Sequence, residues 1–206
     1  MIVELYGCPG CGKTYLVHQI TGNDNTVAMS NNKVKNFLIN KIKSISLYLP
    51  ESVKLYKAII SCVKDEKHTP VYIDRTVEYF AKNIVLLTFG YRHIKKDIFM
   101  AEGLVHRVVA MAVNFGWSTD TIDRLVTVLS DDIVNVKPFY LKVDMETCFN
   151  SIKKRNRHET QMDELDDDEL TEFLHAYCSL FDYVTKRYGF EEITRENYTS
   201  LKEVFE

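Results

Sequence analysis

Residues 6–15 read Tyr6-Gly7-Cys8-Pro9-Gly10-Cys11-Gly12-Lys13-Thr14-Tyr15. Two spacings overlap in them. Cys8 and Cys11 form a C-x-x-C, the spacing of redox dithiols and zinc knuckles. Gly7 to Thr14 form G-x-x-x-x-G-K-T, the spacing of a phosphate-binding loop. The flanks suit the second reading: Ile2–Tyr6 is an apolar run that reads as a buried strand, and Lys13–Ile20 reads as a helix ending near Gly22. Glycines let successive N–H groups turn inward around an anion without Cβ clashes. The helix start adds its positive dipole end and unpaired N–H groups. Lys13 is placed to reach β- and γ-phosphates, and the Thr14 hydroxyl to ligate Mg²⁺. A zinc site needs about four ligands, and the chain has no second C-x-x-C and no H-x-x-x-H. A thioredoxin-like pair leaves Gly7, Gly12, Lys13 and Thr14 unexplained. Gly7 through Thr14, with Tyr15 behind them, are therefore the expected nucleotide-binding set. Both cysteines fill free positions of the loop. A thiol near a helix N-terminus can have a lowered pKa, and oxidation there is expected to block nucleotide binding.

The 206 residues suffice for one large domain, and 46% hydrophobic residues can bury a real core. A net charge of −3 gives no global pull toward nucleic acid or anionic membrane. No apolar run approaches the roughly 20 residues of a membrane span, and MIVELYG lacks the basic region of a secretory signal. The five cysteines are odd in number and scattered, so a reducing cytoplasm is the expected location. Cys62, Cys148 and Cys178 read as small buried hydrophobes.

Short apolar runs alternate with long amphipathic ones. Strands are expected at 2–6, 26–29, 98–101, 139–143 and 190–193, separated by helices rather than hairpin turns. Helices are expected at 34–48, 53–63 after a break at Pro50, 76–89, 104–115, 119–129, 146–154 and 169–187, with a short final helix. Val71–Ile73 reads as a brief extended run. This order implies an α/β three-layer fold with a five-stranded parallel sheet. Only four prolines and eight glycines, with no linker or repeat, argue for a single domain over 1–206, with a helical insertion over 31–95.

A phosphate loop serves switches, motors and kinases alike. A guanine-nucleotide switch needs D-x-x-G and N-K-x-D; Asp120-Thr121-Ile122-Asp123 lacks the glycine, and no N-K-x-D stands in the right place. A motor usually carries two acids after its third strand, whereas Ile98-Phe99-Met100-Ala101-Glu102-Gly103 carries one. The deciding region is Val143 to Tyr188, VDMETCFNSIKKRNRHETQMDELDDDELTEFLHAYCSLFDYVTKRY. Lys153, Lys154, Arg155, Arg157 and His158 crowd a helix end before an acidic turn. Cations so placed suit a lid over 153–168 that closes on a transferring phosphoryl group and excludes water. The acids from Asp163 to Glu169 read as a helix start favoured by the dipole. His106 and His175 read as helix-face residues, and Trp117 as core.

On these residues the chain resembles the P-loop nucleoside and nucleoside-monophosphate kinases, in the thymidylate-kinase and deoxynucleoside-kinase branch. The resemblance rests on Gly7–Thr14, on Glu102-Gly103 at a strand end, and on Cys148–Tyr177, which looks like a helix–R-x-R–E lid followed by a long helix with Leu174-His175-Ala176-Tyr177. It implies a phosphotransferase using ATP and Mg²⁺, with a helical lid and a helical acceptor-binding insertion. It further implies that Arg155 and Arg157 contact the transferring group or donor phosphates. Glu102 would serve as base or metal ligand, and Arg107 would bind the acceptor. Thr194–Asn197 would lie where the adenine ring binds.

Two departures bear on the acceptor. Gly103 stands where such kinases usually have arginine, and Ser30-Asn31-Asn32-Lys33 lacks the usual acceptor signature. A separate Asp74-Arg75 is a second candidate acceptor pair, or else Asp74 caps a helix starting at Arg75. The acceptor expected is a nucleoside or nucleoside monophosphate, then a sugar or other small hydroxyl compound. The rivals are an ATPase or nucleotide-binding regulator without such an acceptor, and a nucleic-acid-processing ATPase, which the negative charge disfavours. No nucleic acid or membrane partner is expected. The oligomeric state is open, with a homodimer as the candidate assembly.

Overall fold

The computed structural model describes residues 1–21, 45–93, 98–155 and 160–204. At its centre lies β1 (Ile2–Tyr6), buried at all five positions. A strand covered on both faces is apolar throughout rather than alternating; only Glu4 breaks that rule. β2 (Ile98–Ala101) pairs with one side of β1, and β3 (Val136–Leu141) with the other. β4 (Glu191–Ile193) lies outside β3, giving the order β2-β1-β3-β4 with every pair parallel.

Parallel neighbours need crossovers, and helices supply them. α1 (Lys13–Thr21), α2 (Pro50–Cys62) and α3 (Val77–His93) precede β2. α4 (Leu104–Phe115), α5 (Thr119–Val128) and the one-turn α6 (Ser130–Ile133) lead to β3. α7 (Met145–Arg155), a 3-10 turn (Gln161–Glu164) and α8 (Asp167–Tyr188) lead to β4, and α9 (Thr199–Glu203) follows. α4 is apolar apart from His106, Arg107 and Asn114 and buried along nearly its whole length, packed by α3 and α8. α8 buries Leu170, Phe173, Leu174, Tyr177, Phe181 and Val184, a stripe at helical spacing. Each such side chain contributes about 1.5–3 kcal/mol by leaving water. The acidic run does start α8: Glu169 N donates to Asp166 Oδ1 at 2.8 Å and Asp166 N to Glu169 Oε2 at 3.2 Å. Trp117 is core, its indole N–H donating to Lys67 O at 2.6 Å.

The α/β class and the parallel sheet agree with the sequence reading. Four strands are described; the expected fifth, 26–29, lies outside the described residues, as do most of the 34–48 helix and Ser30 to Lys33. Several boundaries differ for physical reasons. Pro50 opens α2 rather than breaking the chain, since proline at a helix's first position forfeits no hydrogen bond. α3 runs through Gly90 to His93 because Ile84, Val85, Thr88 and Tyr91 bury a continuous face, which outweighs the roughly 1 kcal/mol cost of one helical glycine. Pro138 lies inside β3 rather than before it. β4 joins only from Phe139 on, so one flank of β3 is unpaired at Pro138 among the described residues. Residues 71–73 form a bend, not a strand. No described helix is long and apolar enough to cross a membrane.

Candidate active site

The loop after β1 is wedged between two backbones. A Cβ at Gly7 would stand 2.7 Å from Leu141 O, and one at Gly10, whose φ is +80°, 2.5 Å from Cys148 O. Only glycine fits at both points, so the loop is pinned to β3 and α7. Behind it, the Tyr6 hydroxyl meets Thr185 Oγ1 at 2.7 Å, and Thr185 donates onward to Phe181 O at 2.6 Å. Cys8 and Cys11 point inward and are buried. Lys13 is 7% exposed and donates to Gly7 O at 2.8 Å and Cys8 O at 3.1 Å. Its ammonium is thus held by the loop's own carbonyls at the cavity floor.

The cavity has a volume of about 760 Å³. One end holds Gly10, Gly12, Lys13 and Thr14, with Lys154 and Arg155 from the end of α7. The other end holds Ile73, Phe80, Ala110, Met162, Phe173 and Tyr177. Between them stand Glu102, His106 and Arg107. The lining cations Lys13, Arg75, Arg107, Lys154, Arg155 and Arg195 face one lining carboxylate, Glu102, among the described residues.

Glu102 is the only non-glycine among the described residues with positive φ, +70°. That conformation costs about 1–3 kcal/mol and clusters at functional sites. It turns the chain from β2 into α4 and sets the carboxylate 3.9 Å from Lys13 Nζ, Arg107 Nη2 and His106 Nε2. Burial works against its charge, but His106, Lys13, Arg107 and Arg75 together outweigh burial and hold the carboxyl below its usual range. Burial drives the pKa of His106 itself down to about 3. It is a neutral imidazole in the cavity wall, stacked on Tyr177, and so more than the plain helix-face residue expected. His175 is exposed, as a helix-face residue should be.

Beneath Glu102, Glu4 is fully buried and caps α4. Val105 N donates to its Oε2 at 3.2 Å and His106 N to its Oε1 at 2.9 Å. Gly103 closes the departure noted above. A Cβ there would lie 2.5 Å from Glu4 Cδ and from Tyr91 Oη, so no arginine fits at this position. Arginines reach the cavity instead from 75 and 107.

Asn114, buried on α4, holds the facing wall. Ile73 N donates to Asn114 Oδ1 at 2.9 Å, Asn114 Nδ2 to Arg75 O at 3.4 Å, and Val71 N to Asn114 O at 2.7 Å. Arg75 lines the cavity with its guanidinium 4.9 Å over the Tyr79 ring. Asp74 is exposed and outside the cavity lining, so the pair splits. Nor does Asp74 cap α3; Thr76 Oγ1 accepts Tyr79 N at 3.2 Å and takes that place. Asp74 N instead donates to Gln161 Oε1 at 2.9 Å, joining the far wall to the 3-10 turn after α7. Thr160, Gln161 and Met162 line the cavity there. Arg157 lies outside the described residues.

Of the expected nucleotide-binding set, Gly7, Cys8 and Cys11 lie behind the cavity surface, and Tyr15, Thr194 and Asn197 also stand outside its lining. Tyr15 is 70% exposed. Thr194 and Asn197 close a turn on each other, Asn197 N donating to Thr194 Oγ1 at 3.1 Å. The residue between them that reaches the loop is Arg195, which the sequence reading missed. Its Nε donates to Cys11 O at 3.0 Å and its Nη2 to Gly10 O at 3.4 Å. A cation in the turn after the last strand was the available signal. For Mg²⁺, Thr14 and Glu102 line the same cavity with hard oxygen donors. No group of three or more His, Cys, Asp or Glu among the described residues could hold a metal alone.

A parallel sheet with the loop after its central strand, packed helices and a polar cleft at the strand ends is also the fold of a solved deoxyadenosine kinase. Deoxyadenosine kinase from M. mycoides with bound dATP shares it: 14% identity, 94% of this chain and 90% of that chain covered, TM-score 0.51. The structure of that enzyme with the products dCMP and a flexible dCDP bound gives 16% identity, 94% and 88% coverage, and a TM-score of 0.48. No protein-family model and no curated protein sequence matches the chain.

Proposed function

We propose that residues 1–206 form a single P-loop kinase domain that transfers the γ-phosphoryl group of Mg-ATP to a nucleoside or nucleoside monophosphate. The observation that carries this is the placement of Glu102, strained and 3.9 Å from Lys13, between a phosphate loop and an aromatic chamber in one cavity. Sugars and other small hydroxyl compounds rank behind, because Phe80, Phe173 and Tyr177 give the cavity an aromatic lining suited to a base. Deoxyadenosine kinase, a protein of the same fold, adds support for a nucleoside.

Lys13 leaves the Gly7 and Cys8 carbonyls and holds the β/γ-phosphates, with the loop amides around them. Arg155, and Arg157 with it, stabilises charge on the transferring group from a lid over 153–168. Arginine suits this because its planar fork stays charged. Mg²⁺, when bound, neutralises charge on the phosphate oxygens, and Thr14 and Glu102 would hold it or its waters. Glu102 is ionised at neutral pH. Its contacts at 3.9 Å are too long for hydrogen bonds, so its lone pairs are free to take the proton of an acceptor hydroxyl at a carboxylate oxygen. Arg75 and Arg107 orient the acceptor from the insertion over 31–95 and from α4. The closed lid excludes water, so transfer outpaces hydrolysis.

ADP release measured with Mg-ATP against nucleosides, nucleoside monophosphates and sugars tests this. A nucleoside or monophosphate should raise the rate well above the acceptor-free background. Hydrolysis that no acceptor stimulates would mark the chain as an ATPase or nucleotide-dependent regulator instead.

A further inference from the structure

The C-x-x-C of the loop is not absorbed by the phosphate-binding role, and the structure gives one of its thiols a partner elsewhere. Cys8 Sγ lies 2.8 Å from Cys178 Sγ on α8, across 170 positions of sequence. That is about 0.8 Å longer than a disulfide bond. All five thiols are free. Cys8 is 1% exposed, whereas Cys178 is half-buried and within reach of a small oxidant.

We propose that Cys8 and Cys178 are a reversible oxidation site, closed by hydrogen peroxide, whose disulfide ties the phosphate loop to α8 and weakens nucleotide binding. The last clause rests on the reading of Gly7–Thr14 as a nucleotide-binding loop. The chemistry balances in two steps. The Cys178 thiolate attacks one peroxide oxygen, the O–O bond breaks, and the sulfenic acid forms with loss of one water after protonation. Cys8 sulfur then attacks the sulfenic sulfur, the S–O bond breaks, and a second water leaves with the Cys8 proton. Two thiols and one peroxide give one disulfide and two waters. A dithiol reductant restores both thiols and is itself oxidised.

The surroundings set the roles of the two thiols, which already touch. The hydrogen bond with Cys8 lowers the Cys178 thiol below its usual value, while the same bond and burial push Cys8 up. The outer sulfur is therefore the nucleophile, and the inner one carries the proton. The consequence for the loop follows from its lack of slack. Gly7 abuts Leu141 O and Gly10 abuts Cys148 O, so drawing Cys8 toward α8 must be absorbed by the loop itself. Cys8 O also holds Lys13 Nζ at 3.1 Å, and that lysine has to swing away to meet a phosphate.

The test uses the reduced full chain, treated with hydrogen peroxide and then alkylated, with peptide mapping and Mg-ATP titration calorimetry. A Cys8–Cys178 cross-linked peptide should be the main product and should vanish with dithiothreitol. Mg-ATP affinity should fall about tenfold or more, the scale of one charge-assisted hydrogen bond. Cys178→Ser under the same peroxide should form no cross-link at Cys8 and keep its affinity. A Cys8–Cys11 disulfide as main product overturns the proposal, as does over-oxidised Cys178 beside free Cys8, or a cross-linked protein with unchanged affinity. A reduced protein that never binds Mg-ATP overturns the nucleotide reading and, with it, the effect on binding, while the mapping still decides the thiol pair.

Discussion

The carboxylate of Glu4, in the middle of β1, accepts the backbone N–H of His106 at 2.9 Å across 102 positions of sequence. One bond thereby ties the central strand to the helix start that carries Glu102, His106 and Arg107. Burial makes the Glu4 carboxyl and the His106 imidazole sensitive to pH, in opposite directions.

Burial raises the Glu4 carboxyl from 4.5 to about 7, against the pull of the α4 amides and Arg107. The folded state therefore binds this proton more tightly than the unfolded chain. The stability it contributes is fully present below about 4.5 and is lost as pH rises through about 7. The change amounts to about 3 kcal/mol. Urea unfolding at pH 5 and pH 8 should show wild type losing stability relative to Glu4→Gln by the higher pH. A pH-independent difference would remove Glu4 as the titrating group.

His106 has the reverse sign. Its folded pKa is driven down to about 3 by burial, from 6.5. The folded state resists the proton, so stability from this group is present above 6.5 and lost as pH falls toward 3. Relative to His106→Gln, wild type should lose on the order of 5 kcal/mol over that range. Between 4.5 and 6.5 the two groups oppose each other, so only comparison with each variant separates them. A flat difference below pH 6 would show that His106 protonates in the folded state.

Gly103→Ala should destabilise the fold by about 1–3 kcal/mol, the usual cost of overpacking, because its Cβ would lie 2.5 Å from Glu4 Cδ and Tyr91 Oη. Thermal melts measure this directly. An unchanged melting temperature would mean the β2–α4 turn has more room than its contacts show.

Lys13→Ala should lower kcat by about 10²–10³-fold or more, since it removes the buried donor aimed at the phosphates. Arg155→Ala should lower kcat by a similar order with little change in KM for Mg-ATP, because it serves the transferring group. Steady-state kinetics decide both, and turnover at the wild-type rate in Lys13→Ala would sink the kinase reading.

Arg195→Ala should raise KM for Mg-ATP about tenfold, with kcat largely kept and stability reduced by about 1 kcal/mol. Its guanidinium holds the loop at Cys11 O and Gly10 O rather than the acceptor. An unchanged KM would reduce Arg195 to a surface contact.

Local physics made much of this legible. Leu104–Phe115 reads as a helix stopped at Gly116 because an apolar run ends at a helix terminator, and it is found there. The acidic stretch reads as a helix start and is a capping box. Errors fell where local signals competed with burial: Gly90 reads as a stop, yet α3 continues because its apolar face is covered. Pro138 reads as a strand boundary, yet β3 contains it.

The site divides the same way. Gly7 to Thr14, Glu102 and Arg155 are contiguous with a motif or an element end, and Pro9, Gly10, Gly12, Lys13, Thr14, Glu102 and Arg155 line one cavity. Arg195, His106 and Asn114 matter because of residues far away in sequence, and no spacing announces them. Asp74-Arg75 shows the limit most clearly. The sequence offers them as a pair, and the backbone bonds to Asn114 and Gln161 send Arg75 inward and leave Asp74 in solvent.

By itself, then, the sequence determined that a strand, a phosphate loop and a helix follow one another, since glycine, lysine and threonine at that spacing act on neighbours within a few residues. Only the tertiary structure decided what surrounds the loop. Cys8 against Cys178, Arg195 on Cys11 and Glu4 beneath His106 are contacts spanning 170, 184 and 102 positions. Packing of the sheet against α4 and α8 brings them together, and no local pattern encodes them.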